Sequence, residues 1–168
     1  MTKSFSAAKS EKMPSIELVE IDTLKPHEGV NATYLKELRE EIKSDGILKF
    51  AIAVSQNGNI ILDGHHRVAA LKELGCAKIP VIFVDYNSSD IEVQAHRKRI
   101  RLTKEEIIKA GMGSKKLPPK TSRHMIRIDG TLKHISAIEK RVDIPLEELR
   151  KVMNDCGQQH HCRLGRRG

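Results

Sequence analysis

Short apolar segments in the first half of the chain alternate with stretches of helical periodicity. The apolar segments predict strands at residues 16–21, 51–54, 59–62 and 79–86. Asn57-Gly58, between the second and third of these, predicts a tight hairpin. Strands and helices mixed in this way predict an α+β domain, with helices packed on a small mixed sheet.

The first predicted helix has recognisable ends. Asn31 is a suitable N-cap, because its side-chain oxygen can accept a hydrogen bond from an amide of the first turn. Leu35, Leu38 and Ile42 then recur at helical spacing and form one apolar face. Gly46 is expected to end this helix.

Three further helices are predicted, at residues 65–75, 103–110 and 146–153. Thr103 and Glu106 have the spacing of a capping box at the start of the second of these, and Gly111 is expected to end it. The predicted domain covers residues 15–153, between a flexible leader (1–14) and a disordered tail (154–168). The tail contains Cys156, Cys162 and two histidines, and we expect no metal site there because the cluster is short and terminal.

Composition limits the possible classes of protein. A chain of 168 residues fits one domain, and its core must be aliphatic because it has no Trp, two Tyr and three Phe. No apolar run approaches the ~20 residues that a membrane span needs. Three widely spaced cysteines do not form a disulfide framework, so the expected location is the cytoplasm.

Positive charge is concentrated in the second half of the chain. Residues 1–96 contain 11 Lys/Arg against 14 Asp/Glu, whereas residues 97–168 contain 19 against 8. Clustered cations neutralise phosphates, so this asymmetry is typical both of nucleic-acid binding and of binding a nucleotide polyphosphate. A solvated basic face without a ligand has the same composition. Charge alone therefore does not distinguish nucleic-acid binding, nucleotide binding and a face without a ligand.

The segment Asp63-Gly64-His65-His66-Arg67 is the most informative in the sequence. An apolar strand leads directly to a glycine and a helix start, where unpaired amides and the helix dipole favour an anion. His65, His66 and Arg67 add side-chain donors, and arginine can bind phosphate oxygens with two hydrogen bonds. Asp63 would repel a phosphate and is better suited to hold Mg²⁺ or act as a base. The alternative is an ordinary charged helix start with Asp63 as its cap.

Residues 62–71 resemble the signature of the ParB/sulfiredoxin superfamily, in which a glycine and a His-Arg pair open a helix. Sulfiredoxins have a reactive cysteine immediately before that pair, where this chain has His65. ParB partition proteins bind CTP and have a second, arginine-rich motif and a helix-turn-helix domain. Residues 97–99 match that motif only weakly, and the chain has no room for the full DNA-binding domain.

The chain is most similar to free serine kinases, whose three motifs recur here in order. They are Lys25-Pro26-His27-Glu28, Asp63-Gly64-His65-His66-Arg67 and Pro119-Lys120-Thr121-Ser122-Arg123-His124. The resemblance implies a ParB/sulfiredoxin-like fold and phosphoryl transfer from ADP or ATP to free L-serine. The product, O-phospho-L-serine, would serve cysteine biosynthesis. The alternative is a ParB-like, nucleotide-gated DNA-binding module.

The same resemblance implies a role for each matched residue. Glu28 would be the catalytic base, and Asp63 would be a ligand of Mg²⁺ or a second acid–base group. The donor's phosphates would be bound by Gly64, His65, His66, Arg67, Lys120, Thr121, Ser122, Arg123 and His124. The expected partners are L-serine and a nucleotide, with no membrane and only weak, non-specific DNA binding.

Overall fold

The structure is a computed structural model that describes residues 14–150. Its strands are β1 (Ile16–Glu20), β2 (Ile47–Phe50), β3 (Ile52–Ser55), β4 (Ile61–Asp63), β5 (Lys78–Val84), β6 (Ile91–Ala95), β7 (Ser122–Ile128), β8 (Thr131–His134) and β9 (Arg141–Pro145). Its α-helices are α1 (Ala32–Asp45), α2 (His65–Glu73), α3 (Lys104–Met112) and α4 (Leu146–Leu149). Among these helices none is long and apolar enough to cross a membrane. Apart from Pro14, the predicted leader and the predicted tail with its Cys/His cluster lie outside the described residues.

A four-stranded sheet in the order β1-β5-β3-β4 forms the centre of the fold. β3 and β4 form the hairpin predicted around Asn57-Gly58, and β3 pairs in parallel with β5 on its other side. Every residue of β3 is buried. Continuous burial of this kind is typical of a strand whose sheet is covered on both faces.

The two faces of the sheet are covered by different elements. Ile52 and Val54 of β3 belong to an apolar cluster with residues of α1 and α2. Ala53, which points to the opposite face, belongs to a second cluster with Ile107 of α3 and Ile135. The domain therefore has helices α1 and α2 on one face, and α3 with the sheet β6-β7-β8 on the other. The predicted α+β class, with helices packed on a small mixed sheet, is confirmed.

The predicted helix ends are confirmed where the signal is a local hydrogen bond. The Asn31 side chain accepts from the amide of Tyr34 at the start of α1, and Gly46 ends the helix with a φ of 68°. Thr103 and Glu106 form the predicted capping box of α3.

The predicted end of α3 is wrong, because the helix continues through Gly111 to Met112. A Cβ at Gly111 would lie 3.0 Å from Cγ1 of Ile60. The glycine therefore lets the helix approach the sheet closely rather than ending it.

The predicted extent of the last helix is also wrong. α4 ends at Leu149, and Arg150 is already extended with a ψ of 158°. The reason is a backbone pairing, since the amide of Ala77 donates to the Leu149 carbonyl at 2.8 Å and Arg150 forms a β-bridge with Cys76. The strand predicted to reach residue 86 ends at Val84.

Candidate active site

The three sequence motifs meet around one cavity of about 760 Å³. Nine of the predicted site residues line it: Glu28, Asp63, Gly64, His65, His66, Arg67, Lys120, Ser122 and Arg123. Four lining residues were not predicted, namely Tyr34, Leu38, His96 and His134. The convergence brings together segments that lie more than 90 residues apart in the chain.

The segment that carries Glu28 is held by backbone hydrogen bonds on both sides. The amide of Lys25 donates to the Asn59 carbonyl at 2.9 Å, which joins the segment to the central hairpin. On the other side the amide of Leu117 donates to the His27 carbonyl at 2.9 Å, and that of Gly29 donates to the Leu117 carbonyl at 2.8 Å. Glu28 therefore projects from a fixed backbone, although its sequence reads only as a turn.

Gly64 occupies a position that no other residue can take without distortion. Its φ is +102°, and a Cβ would lie 2.4 Å from Cγ2 of Ile52. Both the backbone conformation and the contact with β3 exclude a side chain. The glycine thus allows strand β4 to turn directly into helix α2.

Helix α2 presents unpaired amides to the cavity. Gly64 is its N-cap, with no side-chain cap, and the first helical hydrogen bond runs from the Val68 amide to the Gly64 carbonyl at 3.0 Å. The amides of residues 65–67 therefore have no acceptor within the helix, and the helix dipole adds partial positive charge there. Lys120 and Arg123 also line the cavity and contribute full charges. This arrangement favours an anion.

Asp63 is not the cap of this helix; it pairs with Arg67. The Arg67 guanidinium lies 2.9 Å from Oδ2 of Asp63 and 2.7 Å from Oε1 of Glu139, and its other terminal nitrogen donates to the Ala51 carbonyl at 3.0 Å. Arg67, expected to bind phosphate, is therefore engaged by protein groups.

Glu139 was missed in the sequence and is largely buried, with its side chain 8% exposed. Its pKa is raised to about 7, mainly by burial and also by a hydrogen bond with Asp63, while Arg67 acts in the opposite direction. Asp63, Glu139 and Arg67 thus form a compact pair of carboxylates around one cation. No local signal marks Glu139, because its partner lies 72 residues away in the sequence.

Two predicted phosphate-binding residues do not line the cavity. The Thr121 hydroxyl donates to the Pro118 carbonyl at 2.6 Å. His124 is 2% exposed, and its Nε2 lies 2.9 Å from the Tyr86 hydroxyl. Burial lowers the pKa of His124 to about 3, so the ring is neutral at physiological pH.

Three further histidines, His27, His65 and His66, also have a lowered pKa. Burial lowers the pKa of His27 to about 4 and that of His65 well below its usual value. Burial and the nearby Lys120 lower the pKa of His66, whose Nε2 accepts a hydrogen bond from the Asn31 amide at 3.0 Å. Lys120, Arg123 and the helix start therefore supply positive charge that does not depend on protonation of these three rings.

Comparison with known proteins gives a family match over more than half of the chain. Residues 3–97 match the family described as the ParB N-terminal domain. A solved structure described as a free serine kinase in complex with AMP superposes with a TM-score of 0.67 at 18% identity, covering 83% of this chain and 97% of that one. This similarity concerns the fold, and it confirms the predicted ParB/sulfiredoxin-like architecture.

Two curated proteins share closer sequence similarity over a shorter segment. An ATP-dependent L-serine kinase of Staphylothermus marinus is 40% identical over 81 residues, which is 46% of this chain and 32% of that protein. A ParB-like protein of Sulfolobus acidocaldarius is 42% identical over 79 residues, or 47% of this chain and 39% of that protein. The chain thus spans about a third of the length of the curated relatives it matches.

Proposed function

This chain belongs to the ParB N-terminal domain family, and from that premise we propose that it transfers a phosphoryl group from ADP or ATP to the hydroxyl of free L-serine. Its relative from Staphylothermus marinus is named as an L-serine kinase. We assign the reaction to the cytoplasm, where the product, O-phospho-L-serine, would supply cysteine biosynthesis.

One observation carries the proposal: Glu28 and the first residues of α2, whose amides have no acceptor within the helix, line the same cavity. Phosphoryl transfer to a hydroxyl requires that charge on the donor is neutralised, that the reacting groups are aligned, and that the hydroxyl proton is accepted. The helix start supplies the first of these and Glu28 the last. A cavity with an anion site alone would fit a nucleotide-binding protein equally well.

In this proposal the phosphates lie between the start of α2 and the segment that enters β7. The amides that follow Gly64, with His66, contact them from one side, and Lys120 and Arg123 contact them from the other. The Thr121 and Ser122 hydroxyls and the His124 ring all have partners within the protein. We therefore propose that this segment meets the phosphates through its cations and backbone rather than through those three side chains.

Mg²⁺ fits this site as an ion that arrives with the nucleotide. Among residues 14–150 no group of three or more His, Cys, Asp or Glu side chains is arranged to hold a metal ion. Asp63 lines the cavity with Glu139 beside it, and Mg²⁺ is usually held by one or two carboxylates together with substrate phosphates and water. When bound, the ion would neutralise charge on the donor oxygens. Arg67 would orient Asp63 for this role.

The proposal is tested by incubating the purified protein with L-serine, Mg²⁺ and either ATP or ADP labelled in its terminal phosphate. We expect labelled O-phospho-L-serine with at least one of the two nucleotides, and none with D-serine or with a serine-containing peptide. Nucleotide binding without phosphoserine under all these conditions would contradict the proposed activity.

A ParB-like DNA-binding module is the second candidate, favoured by the basic second half and by the relative named a ParB-like protein. Against it, the helices described after residue 97 are α3 and the four-residue α4, which do not form a helix-turn-helix unit. We expect weak binding to any duplex, lost between ~50 and 200 mM salt as counterion release requires. A selection from random duplexes that converged on one site, preferred by ~10³-fold or more, would favour the module.

A further inference from the structure

Behind Glu28 lies a short chain of polar side chains that the proposed reaction does not yet use. Oε2 of Glu28 lies 2.9 Å from the Ser122 hydroxyl oxygen, which in turn lies 2.7 Å from Nε2 of His27. The Ser122 amide also donates to the same Glu28 oxygen, at 3.2 Å. The sequence suggested Ser122 as a phosphate contact, but its hydroxyl lies between a carboxylate and an imidazole.

At the end of this hydrogen-bonded series lies the buried ring of His27, whose protonated nitrogen can be assigned. His27 is 0% exposed, and its Nδ1 lies 2.8 Å from the Ile61 carbonyl oxygen, which can only accept. Nδ1 therefore has the proton. Because burial lowers the pKa of His27 to about 4, the ring is neutral at pH 7, and Nε2 presents a lone pair to Ser122.

The hydrogen-bonded series Glu28–Ser122–His27 lacks one proton for a complete set of hydrogen bonds. A carboxylate at Glu28 and Nε2 of His27 are both acceptors, and the Ser122 hydroxyl between them has a single hydrogen. It can satisfy one of its two short contacts but not both. With one proton added to Glu28, the carboxyl group can donate to the Ser122 oxygen, and the Ser122 hydroxyl can donate to His27. Both contacts are then complete.

We propose that Ser122 and His27 are positioning residues for Glu28, which form a hydrogen-bonded chain that is completed when Glu28 takes the proton of the acceptor hydroxyl. This rests on the proposed function. In the transfer step the serine O–H bond breaks and its oxygen forms the new bond to phosphorus. The bond between phosphorus and the nucleotide breaks, and its electron pair leaves with the nucleotide. The proton stays on Glu28 and passes to water when the product leaves.

The first test compares Ser122→Ala with Ser122→Thr. The alanine variant keeps the backbone amide that contacts Glu28 and removes only the hydroxyl, while threonine restores the hydroxyl. We expect kcat for phosphoserine formation to fall roughly 10–100-fold in Ser122→Ala, since small errors in the placement of a catalytic group have effects of that size. KM for the nucleotide should change little, and Ser122→Thr should recover most of the rate. Wild-type kcat in Ser122→Ala would overturn the proposal.

The second test asks whether Ser122 and His27 act together. His27→Asn keeps a donor for the Ile61 carbonyl but no longer reaches Ser122. It should lower kcat as Ser122→Ala does, and the double variant should be no slower than either single variant, because members of one chain are not additive. If the fold-reductions in kcat of the two single variants multiply in the double variant, the two residues act independently, which would overturn the proposal. If His27→Asn does not fold, the comparison of Ser122→Ala with Ser122→Thr still tests the proposal.

A spectroscopic measurement separates this inference from the proposed activity. The nitrogen NMR signals of His27 in the wild-type protein should show a neutral ring protonated on Nδ1, with Nε2 accepting from the Ser122 hydroxyl for part of the time, because that hydrogen is shared with Glu28. The Nε2 signal should move toward that of a free acceptor in Ser122→Ala and return in Ser122→Thr. An Nε2 signal that is the same in all three proteins would show that Ser122 does not donate to His27, and would overturn the proposal. An inactive wild-type protein with the expected NMR shifts would instead contradict only the proposed function.

Discussion

Arg67 joins the strand, the helix and the loop that surround the candidate site. Its side chain is 18% exposed, and the guanidinium contacts Asp63, Glu139 and the Ala51 carbonyl. Without this cation, two neighbouring carboxylates would face each other in a largely buried place. At the scale of single residues, Arg67 therefore mainly stabilises the fold, and in the proposed function it would affect nucleotide binding only by holding Asp63 in position.

We expect Arg67→Ala to lower the free energy of unfolding by about 2–4 kcal/mol, because removing one partner of a largely buried ion pair leaves charge uncompensated. Urea denaturation measures this change. Arg39→Ala is the matched control, since Arg39 pairs with Glu73 at 2.7 Å on the exposed surface. Its loss should lower the free energy of unfolding far less. Adding Glu139→Gln to Arg67→Ala should recover part of the loss.

The opposite pattern would contradict this account of Arg67. Unchanged stability in Arg67→Ala, with nucleotide affinity lowered by roughly 10–150-fold, is the result expected if the guanidinium mainly bound phosphate. Calorimetric titration with the nucleotide, performed on the same preparation, distinguishes the two roles.

At the scale of elements, the turn from β4 into α2 determines the position of the proposed anion site. Gly64 combines a φ of +102° with a close approach to Ile52. Gly75, just after the same helix, has a φ of +77°, and a Cβ there would meet no heavy atom within 4 Å beyond its chain neighbours. The two glycines therefore share a left-handed backbone and differ in steric contact.

We expect Gly75→Ala to cost ~1–2 kcal/mol of stability, which is the strain of a left-handed residue alone. Gly64→Ala should cost ~1–3 kcal/mol more, because overpacking against Ile52 is added to the strain. It should also weaken nucleotide binding, since the helix start must move to relieve the contact. Equal losses of stability in the two variants, with nucleotide affinity intact in Gly64→Ala, would show that the turn does not shape the site.

The elements that could be predicted from the sequence are those whose signal is local. The caps at Asn31 and Thr103 and the hairpin at Asn57-Gly58 involve residues within a few positions of each other. β6 and β7 were missed because they stabilise each other across the intervening helix α3, with Ala95 opposite Ser122. Short strands have little pattern of their own without such a partner.

The same limit applies to the candidate site. The motif residues were found by resemblance, and most of them line the cavity. The partners that decide their chemistry are distant in sequence, since Glu139 lies 72 residues from Arg67 and Ser122 lies 94 residues from Glu28. Nothing in a single sequence shows which hydroxyl or carboxylate will be enclosed by folding.

At the scale of the whole molecule, a cluster of buried histidines lies between the cavity and the core. The His27 ring is 4.5 Å from that of His65 and 5.4 Å from that of His124, measured between centroids. Burial lowers the pKa of all three. In the unfolded chain each would titrate near a pH of about 6.5, so below that pH the unfolded state binds more protons and stability decreases. Glu139 has a raised pKa, so between about pH 7 and 4.5 the folded state binds more protons at this group. Its contribution to stability therefore increases as the pH falls, opposite to that of the histidines.

His124 isolates one part of this pH dependence. Between pH 7 and pH 5 its contribution should lower the free energy of unfolding by about 2 kcal/mol, because one pKa unit corresponds to ~1.4 kcal/mol. His124→Gln, which retains a polar partner for Tyr86, should lose less stability than the wild-type protein over this range. Urea denaturation at the two pH values measures the difference, and equal losses in both proteins would contradict the assignment of a neutral, buried ring.

The central claim is that Glu28 accepts the hydroxyl proton of free serine in the cavity where the nucleotide binds. The most direct test is phosphoserine formation by the wild-type and Glu28→Gln proteins, measured at saturating L-serine, Mg²⁺ and nucleotide, with nucleotide affinity determined in parallel. We predict that turnover falls by ~10²–10⁴-fold in Glu28→Gln, as expected for the loss of a positioned base, while nucleotide affinity is retained. Turnover by Glu28→Gln close to that of the wild-type protein would contradict the account.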